Sequence, residues 1–271
     1  MLLRILTYNI HHAEGNDGKL DPGRITAVIR ESGADLVGLN EVFHPFLLAE
    51  GREPMLTEMA RDLEMRYVFG TTLPDQPGSS FQAPYGNALL SRYPILNAAT
   101  YRLPAPEGRE SRGVVAADVV LEHGRALTCY VTHLDHRSEQ VRLEQCEHIT
   151  QVTTRFVGES HILIGDFNAL APGDYQDRQE ELAELEAGSK GAHMATMQVV
   201  PRLLRAGYID AQAAVGKIPA ATWSTQNPLV RIDYIWLSPE LRPALISCER
   251  WDTPLSRVAS DHFPVLAVLD Y

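Results

Sequence analysis

The chain is a series of short apolar runs punctuated by Gly, Pro, Asn and Asp. Leu2–Leu6, Asp35–Leu39, Ala88–Leu90, Val114–Leu121, Ala126–Val131, His161–Ile164, Ile232–Leu237 and Pro264–Leu269 read as β-strands. Several are apolar at nearly every position, which predicts strands covered on both faces. Helical spacing lies between some of them. Asp21-Pro22 supplies an N-cap and a first-turn proline, Ile25, Val28 and Ile29 form the apolar stripe, and Gly33 ends the helix. Leu56, Met59, Ala60 and Leu63 repeat the spacing, and Ser138 can cap a third helix with Cys146, Ile149, Thr153 and Phe156 along one face. Residues 177–187 are polar almost all round and read as a solvated helix or an insertion, and 188–191 as a loop. Residues 199–206 read as a short helix that Pro201 can start. The mixture lacks strict βαβ alternation. It predicts an α/β fold with two sheets packed together and helices outside, in one domain over residues 1–271.

The residues able to do chemistry stand at the ends of these runs. Asn9 follows the first and Glu41 the second; His133 follows Ala126–Val131. Asp166 and Asn168 follow His161–Ile164 through Gly165, Asp233 opens Ile232–Leu237, and Asp261-His262 precedes the last run. Strand ends are rigid posts, and several of them meeting at a sheet rim can hold a constellation of ligands. Singly, each has an ordinary explanation: Asn9 a turn residue, Glu41 a solvated carboxylate, His133 a core histidine, Asp261-His262 a loop. Their joint occurrence in this order carries the signal.

Seven stretches together resemble the endonuclease/exonuclease/phosphatase superfamily. They are Thr7-Tyr8-Asn9-Ile10, Leu39-Asn40-Glu41, Gly86-Asn87-Ala88-Leu89-Leu90-Ser91, Thr132-His133-Leu134, Gly165-Asp166-Phe167-Asn168, Arg231-Ile232-Asp233-Tyr234-Ile235 and Ser260-Asp261-His262-Phe263-Pro264-Val265. The resemblance spans residues 7 to 265 and looks like a bacterial subgroup of undefined substrate. It implies a four-layer α/β sandwich, with two mixed, mostly antiparallel sheets face to face, and Mg²⁺ or Mn²⁺ as the metal. One departure is Asn40, where the family more often has Gln before the metal-binding glutamate; Asn is shorter but offers the same amide chemistry.

A phosphoester resists water because its anionic oxygens repel the nucleophile and its leaving oxygen gains charge; a hard cation held by carboxylates offsets both. On that chemistry Glu41, Asn9 and Asp261 are the expected metal ligands. Asp166 would activate the attacking water and Asn168 would hold that water or a phosphate oxygen. His262, fixed by Asp233, is either base or phosphate clamp, and His133 donates to the phosphoryl oxygen. Asn87 and Arg112 are candidates for ordering the site and for substrate phosphate, respectively. His11, His12, Asp17, Asp135 and His136 form a further polar set, either a shell around the site or part of a second metal site. Adjacent side chains on a strand point to opposite faces, which counts against His11 and His12 acting together.

Charge narrows the substrate. The net charge is −11, whereas nucleic-acid binders draw their non-specific affinity from Lys and Arg on phosphates. A small phosphoester or lipid headgroup is therefore the expected substrate. A nuclease would need a basic rim, for which Arg102, Arg109, Arg112 and Arg137 are available, and a non-catalytic binding module on the same scaffold is the third reading. No partner protein is evident. Cys129, Cys146 and Cys248 fit neither a disulfide framework nor a CxxC site and are expected in the core, in a reducing compartment. The first residues lack the pattern of a signal peptide, and no run reaches the roughly 18 apolar residues of a membrane span, which points to the cytoplasm.

Overall fold

The computed structural model describes residues 1–47, 53–73, 83–153, 159–178, 180–181, 197–216 and 219–271. In chain order its strands are β1 (Leu2–Asn9), β2 (Leu36–Phe43), β3 (Arg66–Leu73), β4 (Tyr85–Ser91), β5 (Ile95–Arg102) and β6 (Gly113–Val120). They continue with β7 (Ala126–His133), β8 (His161–Asp166), β9 (Ile209–Asp210), β10 (Asp233–Leu237), β11 (Leu245–Arg250) and β12 (Val265–Asp270). One six-stranded sheet runs β11-β12-β1-β2-β4-β3 and the other β5-β6-β7-β8-β10-β9. Each contains one parallel pair, β1 with β2 and β7 with β8, and the other pairings are antiparallel.

Three apolar layers hold the sandwich. Leu3, Ile5, Leu36 and Leu89 of the first sheet pack between the sheets against Val131, Ile162, Ile164 and Ile235 of the second. The outer face of the first sheet takes Leu6, Tyr8, Val37 and Leu39 against α1 (Pro22–Ser32) and α2 (Met55–Asp62). The outer face of the second takes Tyr130, Leu163 and Trp236 against α3 (Glu139–Thr153) and α4 (Val199–Arg205). The result is the four-layer α/β sandwich, and it explains why the central runs are apolar throughout. Gly33 ends α1 at φ 64, a left-handed conformation that glycine adopts without strain. Ser138 accepts the N–H of Val141 at the start of α3. Pro201 lies in the first turn of α4, where its missing N–H costs nothing. Residues 182–191 of the polar stretch, and Phe156, lie outside the described residues. All three cysteines are buried free thiols. No described helix is long and apolar enough to cross a membrane.

The strands run past their apolar stretches by a few residues. That extension, together with the period-2 alternation of side chains, positions the site. On β1, Leu3 and Ile5 face the inter-sheet core, and the same face continues through Thr7 to Asn9. On β7, Cys129 and Val131 lead to His133; on β8, Ile162 and Ile164 lead to Asp166. On β10, Ile235 and Leu237 lead back to Asp233. Register then aligns them: Asn9 pairs with Asn40, His133 with Asp166, and Asp233 with Asp166. The inter-sheet core therefore ends, at one rim, in a polar cap.

Candidate active site

Two backbone irregularities aim the cap. The β2–β4 register slips between Leu39 and Val42, and Glu41 within that bulge has φ 60. Bulges of this kind re-aim a side chain, here turning Glu41 toward the rim. Gly165 has φ 143, and a Cβ there would stand 1.8 Å from the Thr132 carbonyl oxygen, so only glycine lets β8 deliver Asp166 alongside β7.

Asp166 lies at the centre. Its Oδ2 accepts from Asn9 Nδ2 at 3.1 Å and lies 3.4 Å from His133 Nε2 and 3.9 Å from His262 Nε2. Its Oδ1 accepts the backbone N–H of Asn168 at 2.8 Å. Asn9 Nδ2 also donates to Glu41 Oε1 at 3.1 Å. His262 Nδ1 meets Asp233 Oδ2 at 2.9 Å, and its Nε2 is 4.0 Å from Asp261 Oδ1. Six strand-end residues named from the sequence, with Asp261 and Asn168, therefore converge in one cluster.

The surroundings push the two histidines in opposite directions. His133 Nδ1 faces Arg112 Nη1 at 3.0 Å. A guanidinium has only donors, so Nδ1 is the accepting nitrogen and the proton falls to Nε2, which lies 3.4 Å from Asp166 Oδ2 and 3.1 Å from the Asn168 amide nitrogen. Burial lowers the His133 pKa well below the ordinary range, and the charges of Arg112 and His262 act the same way. Burial would also lower His262, but the carboxylates of Asp233, Asp166 and Asp261 outweigh it and keep the ring charged above its ordinary range. Asp166 is raised by burial and by the Asp233 charge, against the pull of His262. Asp261 is lowered, because His262, His11 and a hydrogen bond from Trp223 outweigh its burial.

The donor set fits a hard divalent cation. Four carboxylates, from Glu41, Asp166, Asp233 and Asp261, surround the site, and the buried oxygens Asp233 Oδ1 and Asp261 Oδ1 have no hydrogen-bond partner. Orphaned buried anionic oxygens are costly unless a cation or water serves them. Asn9 presents its NH₂ to the carboxylates, since its oxygen accepts the N–H of His11 at 3.1 Å. As placed it serves the ligands as a donor, and direct ligation through oxygen requires the amide to turn over.

Asn87 lies behind the site. Its oxygen accepts from Asn40 at 2.8 Å and its NH₂ donates to the Gly113 carbonyl at 3.0 Å, so its amide is spent on internal bracing. Arg112 is 3% exposed and is engaged by His133, His136 and Glu110. Asp135 turns away from the cluster, its Oδ1 accepting the N–H groups of Arg137 and Ser138. Asp17 is exposed and paired with Arg24 at 2.9 Å. His11 and His12 are not on a strand: they follow β1 in a left-handed turn, with ring centroids 4.4 Å apart.

Sequence reasoning missed four residues that brace the cluster. Trp223 Nε1 donates to Asp261 Oδ2 at 3.1 Å. Ser260 Oγ donates to the Asn9 carbonyl at 2.8 Å. Arg231, 2% exposed, bridges Asp174 and Asp210 at 2.7 Å each. Asn40 was noted only as a departure, yet it donates to Asn87 and the Thr132 carbonyl and accepts from the Asp166 N–H. Asn40 and Ser260 adjoin a named catalytic candidate in the sequence and Arg231 stands two residues before Asp233, and that proximity was the available signal. Trp223 carries none.

Comparison with known proteins bears on the fold and the family. The uncharacterized protein YbhP of Escherichia coli (strain K12) is 26% identical over 278 residues, covering 97% of this chain and 94% of that protein. The endonuclease/exonuclease/phosphatase from Beutenbergia cavernae superposes with a TM-score of 0.74 at 23% identity, over 99% of this chain and 71% of that one. A 3′ phosphatase, NExo, from Neisseria bound to a product DNA hairpin superposes with a TM-score of 0.69 at 20% identity, over 99% and 100%. The model of the endonuclease/exonuclease/phosphatase family matches residues 6–262. With the match reaching from β1 to His262, the chain belongs to the endonuclease/exonuclease/phosphatase family, hydrolases of phosphoester bonds that generally use divalent metal ions.

Proposed function

We propose that this chain hydrolyses phosphoester bonds in a small molecule or lipid headgroup with Mg²⁺ or Mn²⁺, by in-line attack of water on phosphorus. The observation that carries the reading is the position of Asp166, whose Oδ2 is within 3.9 Å of Asn9, His133 and His262 at once. When bound, the cation supplies neutralisation of the phosphate oxygens and of the developing charge. Glu41 and Asp261 would hold it, with Asn9 alongside.

The side chains divide the remaining work. Asp166, raised toward neutrality, suits a base that takes the proton of the attacking water. The Asn168 N–H fixes the carboxylate's orientation through Oδ1. His262, kept charged by Asp233, suits a phosphate clamp or a proton donor rather than a base. His133 Nε2–H donates toward the same space, and a well-aimed donor to a developing oxyanion contributes about 3 kcal/mol. Arg112 sets the His133 tautomer in this scheme, through their 3.0 Å contact.

The small-substrate choice rests on charge. Of the four arginines a nucleic-acid rim would use, Arg109 and Arg112 sit beside Asp135 and Glu110, which mutes their field. Hydrolysis of a phosphoester panel, with and without Mg²⁺ or Mn²⁺ and across a salt series, tests the reading. Metal-dependent cleavage of small phosphoesters with a shallow salt slope supports it. A steep slope with preference for DNA or RNA replaces it with the nuclease reading. No metal-dependent turnover on any substrate points to a binding module.

A further inference from the structure

The turn after β1 contains a second constellation, which shares Glu41 with the cluster around Asp166. His11, His12 and Ala13 have φ 43, 44 and 69, three consecutive left-handed residues without a glycine. Such backbone conformations persist where their surroundings enforce them, and they gather at functional sites. Here the enforcement is visible: Asn9 Oδ1 accepts the His11 N–H, and the N–H groups of Ala13 and Glu14 bond back to Ile10 and His11. The turn places two imidazoles side by side, with Glu41 facing them.

Each ring is oriented by a group on its other nitrogen. His11 Nδ1 lies 3.2 Å from the Glu14 carbonyl oxygen. A carbonyl only accepts, so Nδ1 carries the proton and Nε2 presents a lone pair. His12 Nε2 lies 3.5 Å from a Glu14 carboxylate oxygen, and its Nδ1 lies 3.9 Å from Glu41 Oε2. A proton on Nε2 leaves Nδ1 with its lone pair turned toward Glu41. A carbonyl or carboxylate on the far nitrogen is the usual support of a metal-binding histidine. One ligand atom from each of His11, His12 and Glu41 lies within 4.8 Å of the others. Two ligands of one ion, each about 2.1 Å from it, stand at most about 4.2 Å apart, so small side-chain rotations close the set. The three residues are partly exposed, which leaves an ion a route in.

We propose that His11, His12 and Glu41 form a distinct cation site that takes a borderline divalent transition metal such as Co²⁺ or Zn²⁺ in preference to Mg²⁺. Two imidazole nitrogens with one carboxylate oxygen suit such metals, whereas Mg²⁺ favours oxygen donors and retained water. The inference shares Glu41 with the reading above. Oε1 of that carboxylate is turned to Asn9 and Oε2 to His12, so one carboxylate serves both sides.

The test is calorimetric titration of the whole chain with Co²⁺ alone, with visible absorption recorded for nitrogen ligation. Mg²⁺ binding is measured in parallel by thermal protection. The His11→Ala/His12→Ala variant should lose at least about 10-fold in Co²⁺ affinity and lose the nitrogen-ligated bands, with Mg²⁺ protection unchanged. Glu14→Gln keeps both rings and removes the support of His12. It should weaken Co²⁺ by roughly 10-fold, the usual effect of losing such a partner, and it supplies the test if the double variant does not fold. Unchanged Co²⁺ affinity in either variant, or parallel losses of Co²⁺ and Mg²⁺, overturns the proposal. Neither readout needs turnover, so a failure of Mg²⁺-dependent hydrolysis would count against the proposed function and leave this result standing.

Discussion

The Asn40 side-chain oxygen accepts the backbone N–H of Asp166 at 2.9 Å, tying β2 of one sheet to β8 of the other. The same amide donates to Asn87 at 2.8 Å and to the Thr132 carbonyl at 2.9 Å. It is fully buried, and the next residue along the chain is Glu41. One side chain thus sets the distance between the metal-ligand half of the cluster and the half that holds the proposed base.

Replacing Asn40 with Leu should therefore cost stability as well as activity. It strands a buried N–H, a buried carbonyl and the Asn87 oxygen, and each unsatisfied buried group costs about 1–3 kcal/mol. A loss of about 3 kcal/mol or more in urea unfolding is expected. A change within about 0.5 kcal/mol, the range of ordinary surface substitutions, would show that the bridge is not needed.

Arg231 makes a separable prediction. It is buried between Asp174 and Asp210, two residues before Asp233. Arg231→Leu leaves two carboxylates facing a vacated charge, and breaking a buried pair in this way costs about 3–5 kcal/mol. Adding Asp174→Asn and Asp210→Asn removes the stranded charges and should restore part of the loss. Denaturant curves of the single and triple variants check this; equal stabilities would argue against a buried ionic brace.

The pH profile tests the pairing of His262 with Asp233. A group needed in its charged, protonated form supports activity below its pKa and loses it as pH rises through that value. Asp233 is the main influence holding the His262 pKa up. Asp233→Asn should therefore move the alkaline limb of kcat/KM to lower pH and reduce kcat by roughly 100- to 10,000-fold, the span general-acid groups contribute. An alkaline limb that stays in place would assign it to another group.

Metal dependence tests Glu41. Chelation should abolish turnover and added Mg²⁺ or Mn²⁺ should restore it. Glu41→Gln removes the ligand charge and should raise the half-saturating Mg²⁺ concentration by more than about 10-fold, since even supporting partners of ligands are worth that much. An unaltered metal requirement would move the ligand role elsewhere.

The central fold was legible in the sequence because its strands are apolar on both faces. Each of the eight strands expected from apolar runs is present. The four not expected, β3, β5, β9 and β11, are the four sheet edges. Edge strands mix wet and dry positions: five consecutive residues of β5, Leu96 to Thr100, are exposed, so no apolar run marks them. Asn9, His133 and Asp166 were expected to follow their strands and instead end them, because the inward alternation continues after the apolar residues stop. The positions of Asn9, Glu41, Asp166, Asp233 and His262 were legible at the level of which residues would meet. The adjacent histidines were not, because the strand rule assumed a backbone that the left-handed turn abandons. Asp17 and Asp135 went to Arg24 and to the start of α3 through local pairing, which sequence proximity alone cannot rank.

The most direct test of the whole account is hydrolysis of bis-p-nitrophenyl phosphate with saturating Mg²⁺ by the unaltered chain and by Asp166→Asn. The substitution is isosteric and removes the carboxylate that would take the proton of the attacking water. The account predicts metal-dependent turnover that falls by at least about 100-fold in the variant, the lower end for a lost proton-transfer group, with unchanged circular dichroism. Comparable turnover by the folded variant would contradict it.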